Sequence, residues 1–136
     1  MVPNDEAMEE LSRTADGMRR QPPFGAPYVF VLLVMDGADA SAVHRIVRQE
    51  TVVGRGAENH LAIEDDQVSK VHCKIRVEGP VCTLVDAGSR NGTRINGRRL
   101  AANVAQRLRH LDEVDIGSHR FLFLSGRSRA QKKNVA

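Results

Sequence analysis

The 136-residue chain has no tryptophan, one tyrosine and two cysteines, and its four phenylalanines leave an aromatic share of 4%. A core must therefore be built from Val, Ile and Leu with a few Phe. Stacking platforms of the kind that hold single-stranded nucleic acid are scarce. Cys73 and Cys82 lie in apolar, strand-like segments, and no His stands at a zinc-like spacing from them. They read as small buried hydrophobes, with neither a disulfide, a metal nor any other cofactor implied. The longest apolar run, Val29 to Met35, falls far short of the roughly 20 residues that cross a bilayer. The first residues are acidic and polar, unlike a secretory leader. These absences predict a cytoplasmic, soluble protein with no membrane partner.

What is present is an ordinary globular balance, 41% hydrophobic and 27% charged, at a length that suits one domain. The net charge is +3, and much of the excess sits near the end, in Arg127, Arg129, Lys132 and Lys133. Residues 126–136 therefore read as a basic, solvated C-terminal tail. Nucleic-acid binding through it is the weaker reading, given so few aromatics. Residues 1–27 read as a flexible N-terminal tail. Within it Met8, Leu11, Ala15 and Met18 recur at helical spacing, so a transient amphipathic helix is expected there. The following RQPPFGAP, with three prolines, stops it.

From Tyr28 the texture changes to strands. YVFVLLVM and HRIVRQETVVG are two β-rich runs, followed by shorter candidates at 61–63, 72–77, 81–86, 93–95, 114–116 and 120–124. Glycine-, asparagine- and aspartate-bearing turns separate them, the spacing of an all-β sandwich or barrel. Only ANVAQRLRHL has a helical alternative. Within residues 72–77, Cys73, Ile75 and Val77 alternate with His72, Lys74 and Arg76, so one face is apolar and the other polar. Glu78-Gly79-Pro80 turns the chain back through VCTLVD. Antiparallel pairing then brings His72 beside the loop DAGSRNG.

Three clusters at strand ends carry the candidate chemistry: Gly54-Arg55, Ser69-Lys70-Val71-His72 and Ser89-Arg90-Asn91-Gly92-Thr93. Together they supply guanidinium groups, a hydroxyl, an ammonium and an amide. A phosphorylated side chain, with about −1.5 to −2 charges and three acceptor oxygens, matches that set. No nucleophile with an adjacent base accompanies it, so the chemistry is capture rather than turnover, and no enzyme is expected. Gly54 serves a bend. His72, at a strand start, reads as a structural hydrogen-bonder that steadies the Ser69 loop. Asn91-Gly92 and Asn96-Gly97 have the local signature of hairpin turns; for Asn91 a ligand-facing amide is an equal alternative.

The blocks VVGRGAENHLAI, VSKVHCKI, LVDAGSRNGTRINGRRL and LDEVDIGSHRFLF resemble the forkhead-associated (FHA) domain family, over residues 28–125. The resemblance implies a two-sheet β-sandwich of about eleven mainly antiparallel strands that reads phosphothreonine through loops at one end. It implies phosphate contacts for Arg55, Ser69 and Lys70, and a main-chain grip on the peptide for Asn91. His72, Gly54 and Gly92 would support the site. Arg90 departs from the family's usual Thr or Ser, and its cation is a further candidate for ligand contact. Leu111 stands where the family often has glycine, which implies an altered turn. The partner implied is a phosphothreonine-bearing protein, such as a Ser/Thr kinase or its substrate, in bacterial-style signalling. Thr14 in LSRTADGM, following an arginine, offers a route to self-association through a phosphorylated tail. The alternative is a phosphate-independent interaction scaffold with the same fold.

Overall fold

The structure is a computed structural model and describes residues 28–127; the helical spacing of residues 8–18, Thr14 and the chain beyond 127 lie outside the described residues. Eleven strands are present among them: β1 Tyr28–Val34, β2 Val43–Arg45, β3 Glu50–Gly54, β4 Leu61–Ala62, β5 Cys73–Glu78, β6 Val81–Asp86, β7 Thr93–Ile95, β8 Arg98–Arg99, β9 Gln106–Leu108, β10 Glu113–Ile116 and β11 His119–Arg127. They form a five-stranded sheet in the order β9-β6-β5-β3-β4 and a six-stranded sheet in the order β2-β1-β11-β10-β7-β8. Every pairing is antiparallel except β3 with β4. The all-β sandwich expected from the sequence is what the chain adopts.

Period-2 alternation builds the core. Phe30, Leu32 and Val34 from β1 and Phe121 and Phe123 from β11 point inward, facing Val53, Cys73, Ile75, Val77, Cys82 and Leu84 of the other sheet. Phe30 and Phe123 stack at 5.9 Å between ring centroids, so two of the four phenylalanines form one aromatic pair at its centre. Both cysteines are free and buried, and burial pushes each thiol up to about 12.

Three details differ from the sequence reading. The run HRIVRQETVVG is two strands in different sheets. Ile46 buries its side chain and donates its amide to Phe30 O, and the chain then crosses to the five-stranded sheet, where Gln49 O accepts from Val77 N. The segment ANVAQRLRHL contains β9 and no helix. Its Leu108 is buried between exposed Arg107 and Arg109, an alternation that suits an edge strand paired with β6. The last strand continues past residue 125: Gly126 and Arg127 pair with Val29 and Tyr28, and the Arg127 guanidinium lies 5.5 Å from the Tyr28 ring centroid.

The two ends of the sandwich are built differently. At the end away from β3's terminus, Glu78 pairs with Val81 and Ile95 with Arg98, leaving two-residue turns. Gly79 takes φ +58, and Asn96 and Gly97 take +52 and +82, the positive values such hairpins require. Asn96-Gly97 is thus the turn its sequence indicates. Asn91-Gly92 is not. It lies between β6 and β7, which belong to opposite sheets, so it is a crossing between sheets and no hairpin.

Candidate functional site

The other end gathers the connections 55–60, 63–72 and 87–92 and the β10–β11 turn at Gly117-Ser118, with the β1–β2 connection 35–42 beside that turn. β3 delivers Gly54 into it, where a Cβ would overlap the Lys70 carbonyl oxygen. Glycine therefore allows the two loops to meet, and Arg55 N donates to Ser69 O at 3.0 Å. The buried Asn59 side chain completes the join, its Nδ2 donating to Gly56 O and Lys70 O, both at 2.8 Å.

His72 is fully buried at the start of β5. Its Nδ1 accepts the Ser69 amide at 3.0 Å, so the ring proton is on Nε2, which donates to Gly92 O at 2.9 Å. One imidazole thus bonds the Ser69 loop to the Asn91 loop. Both ring nitrogens are occupied and none is left to act as a base.

The loop after β6 folds around Asp86. Its Oδ2 accepts the amides of Gly88 and Ser89 at 3.0 Å, and its Oδ1 accepts the hydroxyls of Ser89 at 2.5 Å and Thr93 at 2.7 Å. Burial alone would raise this carboxyl, but the Ser89 and Thr93 hydroxyls and the two amides outweigh it and hold its pKa below the usual range. Ser89 Oγ in turn accepts Gly92 N at 3.0 Å. A third brace is Asp65, whose carboxylate takes the Ser118 hydroxyl at 2.6 Å, the Gln67 amide at 2.9 Å and the Ser118 amide at 3.0 Å. Those bonds, the hydroxyl foremost, lower its pKa to about 2. Gly117 has no room for a Cβ against Val68 and Asp65, so this loop rests directly on the β10–β11 turn.

On this frame Arg55, Ser69, Lys70, Arg90 and Asn91 line one shallow depression of about 160 Å³, with Gln67 and Val68 beneath and Asp66 the one carboxylate beside them. All five expected ligand residues are therefore brought together. Arg55 Nη1 donates to Val68 O at 3.2 Å, which fixes the guanidinium and leaves its other N–H groups for a ligand. Ser69 Oγ accepts the Arg90 amide at 3.0 Å, so its own proton is available to donate outward. Asn91 Nδ2 donates to Gln67 O at 2.9 Å, which orients the amide and leaves its carbonyl and second N–H unused. Arg90 and Lys70 are exposed, and neither has an acidic partner among the described residues. Gly92, at φ +84, passes so close to Arg99 that a Cβ would collide with its guanidinium.

Sequence reasoning missed Asn59, Asp65 and Asp86. Asp86 had a visible signal, a carboxylate closing a strand before Gly and Ser. Asp65 had none, because its main partner, Ser118, lies 53 residues away.

Residues 51–117 match the family model of the FHA domain. The chain is 35% identical over 113 residues to the oxoglutarate dehydrogenase inhibitor of Corynebacterium diphtheriae, covering 83% of this chain and 75% of that protein. It belongs to the forkhead-associated domain family. This FHA chain is also 34% identical over 96 residues to the glycogen accumulation regulator GarA of Mycolicibacterium smegmatis, spanning 71% of itself and 59% of that relative. Among solved structures it resembles the MEK1 FHA domain in complex with a HOP1 phosphothreonine peptide, with TM-score 0.60, 30% identity, and coverage of 73% of this chain and 96% of that one.

Proposed function

We propose that this FHA domain binds phosphothreonine segments of protein partners and acts by that binding rather than by catalysis. The observation that carries the reading is the convergence of Arg55, Ser69, Lys70, Arg90 and Asn91 on one depression, with the Arg55 and Asn91 side chains each fixed by a hydrogen bond to a backbone carbonyl and Ser69 Oγ bonded to the Arg90 amide. Arg55 and Ser69 would take the phosphate oxygens, with Lys70 adding a point charge. Asn91 would grip the peptide main chain, and Arg90 would reach the phosphate or an acidic neighbour in the ligand. Charge-assisted hydrogen bonds contribute about 1.5–3 kcal/mol each. Two or three of them, less the ordering cost of a flexible peptide, give affinities in the micromolar range, about −8 kcal/mol.

The partner class follows from the chemistry: a Ser/Thr kinase or its substrate carrying phosphothreonine in an accessible segment. The similarity to an oxoglutarate dehydrogenase inhibitor and to a glycogen accumulation regulator supports a place in regulation, with a metabolic enzyme as one kind of partner. Phosphorylated Thr14 of this or a second chain is a further candidate ligand.

The test is a titration of one peptide in phosphothreonine, phosphoserine and unmodified forms against the wild type and Arg55→Ala. The expected result is binding of the phosphothreonine form, a few-fold weaker binding of phosphoserine and none of the unmodified peptide. Arg55→Ala should lower affinity at least tenfold, since about 1.4 kcal/mol is a factor of ten. Binding that survives both dephosphorylation and Arg55→Ala would instead establish the phosphate-independent scaffold.

A further inference from the structure

Just outside the phosphate depression, arginines are placed in a way that folding alone does not favour. β7 and β8 pair antiparallel, and in that pair Arg94 stands directly opposite Arg99. Like charges at directly opposed positions destabilise a sheet. Both side chains are exposed, and neither has an acidic partner among the described residues. The carboxylate opposite Arg94 on its other side, Asp115 of β10, is taken by Arg120, at 2.8 and 3.3 Å. Protection of the exposed β8 edge explains Arg98, a third exposed cation there. It does not explain two more arginines facing each other on the outer side of the sheet.

This pair is joined rigidly to the depression. The Arg99 guanidinium lies over Gly92, in the space a Cβ would fill. Gly92 is itself pinned, its carbonyl accepting from His72 Nε2 at 2.9 Å and its amide donating to Ser89 Oγ at 3.0 Å. Thr93, the next residue, accepts the Leu100 amide and donates its hydroxyl to buried Asp86. Asn91, in the depression, is one trans peptide from Gly92, and Arg94 is roughly 10 Å further along at 3.3 Å per residue. Arg90, Arg99 and Arg94 thus form a cationic shoulder that begins at the depression and leads away along β7.

The opposite side of the depression carries the opposite charge. β8, β7, β10 and β11 are successive strands of one sheet. Arg99 therefore stands on one side of Asn91-Gly92. On the other stands the 63–72 loop, which Asp65 fastens to the β10–β11 turn. That loop presents Glu64 and Asp66, both exposed. An extended peptide seated across the depression meets arginines with one flank and carboxylates with the other.

We infer that Arg94 and Arg99, continued to the rim by Arg90, form a subsite for carboxylates on one flank of the bound phosphothreonine. The inference rests on the phosphothreonine reading of the depression and narrows its ligands. They carry two or more Asp or Glu on one flank, about two to four positions from the phosphothreonine at about 3.4 Å per extended residue, and none on the other. The guanidinium forks suit carboxylates in either a single or a paired contact.

The test titrates the full chain with three phosphothreonine peptides that differ only in their flanks: neutral on both sides, three glutamates before the phosphothreonine, or three after it. One acidic peptide should bind about fivefold more tightly than the neutral one, as two or three exposed ion pairs allow, and the other no more tightly. The gain should fall as salt is added. In the double variant Arg94→Gln, Arg99→Gln it should shrink to about twofold or less, with the neutral peptide's affinity and the thermal unfolding unchanged. Arg94→Glu with Arg99→Glu should turn the preference toward three lysines on that same flank. Equal binding of all three phosphothreonine peptides would overturn the inference and leave the phosphothreonine reading standing. So would an equal gain from acid on both flanks, or a gain that survives the double glutamine variant. Failure of every phosphothreonine peptide to bind would overturn both.

Discussion

The two ends of this sandwich solve the same problem, reversing the chain between strands, by different means. At the far end two hairpin turns are only two residues long and rest on local backbone geometry, with glycine or asparagine at positive φ. Side-chain help there is exposed, as in the Asn96–Asp112 bond. At the site end, besides the short Gly117-Ser118 turn, the connections 55–60, 63–72 and 87–92 run to six or more residues, and buried side chains bond one loop to another. His72 reaches Gly92, Asp86 gathers residues 88 to 93, and Asn59 bonds to Lys70. A local turn needs only its own residues to be right. The site end is positioned cooperatively, which holds the five residues proposed to meet the phosphopeptide in register with one another.

Substitutions should separate the two designs. The largest effect is expected for His72→Ala, which leaves the Ser69 amide and Gly92 carbonyl without their buried partner. It should cost about 3 kcal/mol of stability in denaturant unfolding and abolish phosphopeptide binding. A loss under 1 kcal/mol, on the order of one exposed hydrogen bond, would show the site end to be no more interdependent than the far end. Next, Ser69→Ala removes one ligand hydroxyl and the acceptor for Arg90 N. Affinity for a phosphothreonine peptide should fall about tenfold, read by calorimetry, with little change in unfolding.

A smaller effect is expected at Asp65, whose carboxyl is held at about 2 against an ordinary 3.8. Because the folded-state pKa is depressed, its stabilisation is fully present above about pH 4 and is lost as pH falls through about 2. Asp65→Asn should therefore flatten the acid limb of the stability curve over that window. At neutral pH it should cost about 1 kcal/mol. Smallest is Leu111→Gly at the far end. Leu111 holds φ +76 with its side chain 58% exposed, a conformation that strains a bulky residue and suits glycine. Thermal unfolding should shift upward by the equivalent of about 1 kcal/mol, with peptide affinity unchanged.

The same contrast marks what the sequence made legible. Alternation in residues 72–77 and the Glu-Gly-Pro turn located the β5–β6 hairpin, and with it the approach of His72 to the following loop. Asn96-Gly97 announced its own turn. Arg55, Ser69, Lys70, Arg90 and Asn91 were visible because their blocks resemble a known family. Asp65 and Asn59 were not, since a brace that acts across the fold leaves no periodic trace near itself. The division between β2 and β3 was hidden for a related reason. Ile46 is apolar in a run of β-formers, and only its burial against β1 shows that the chain leaves one sheet there. Asn91-Gly92 carried a hairpin signature that the crossing between sheets overrode.

The most direct test of the central claim is a map of amide shifts on adding a phosphothreonine peptide, with its unmodified twin as control. The account predicts saturable changes at Arg55, Ser69, Lys70, Arg90 and Asn91, none at Gly79 or Gly97, and none with the unmodified peptide. Equal changes with both peptides, or changes centred away from those five residues, would contradict it.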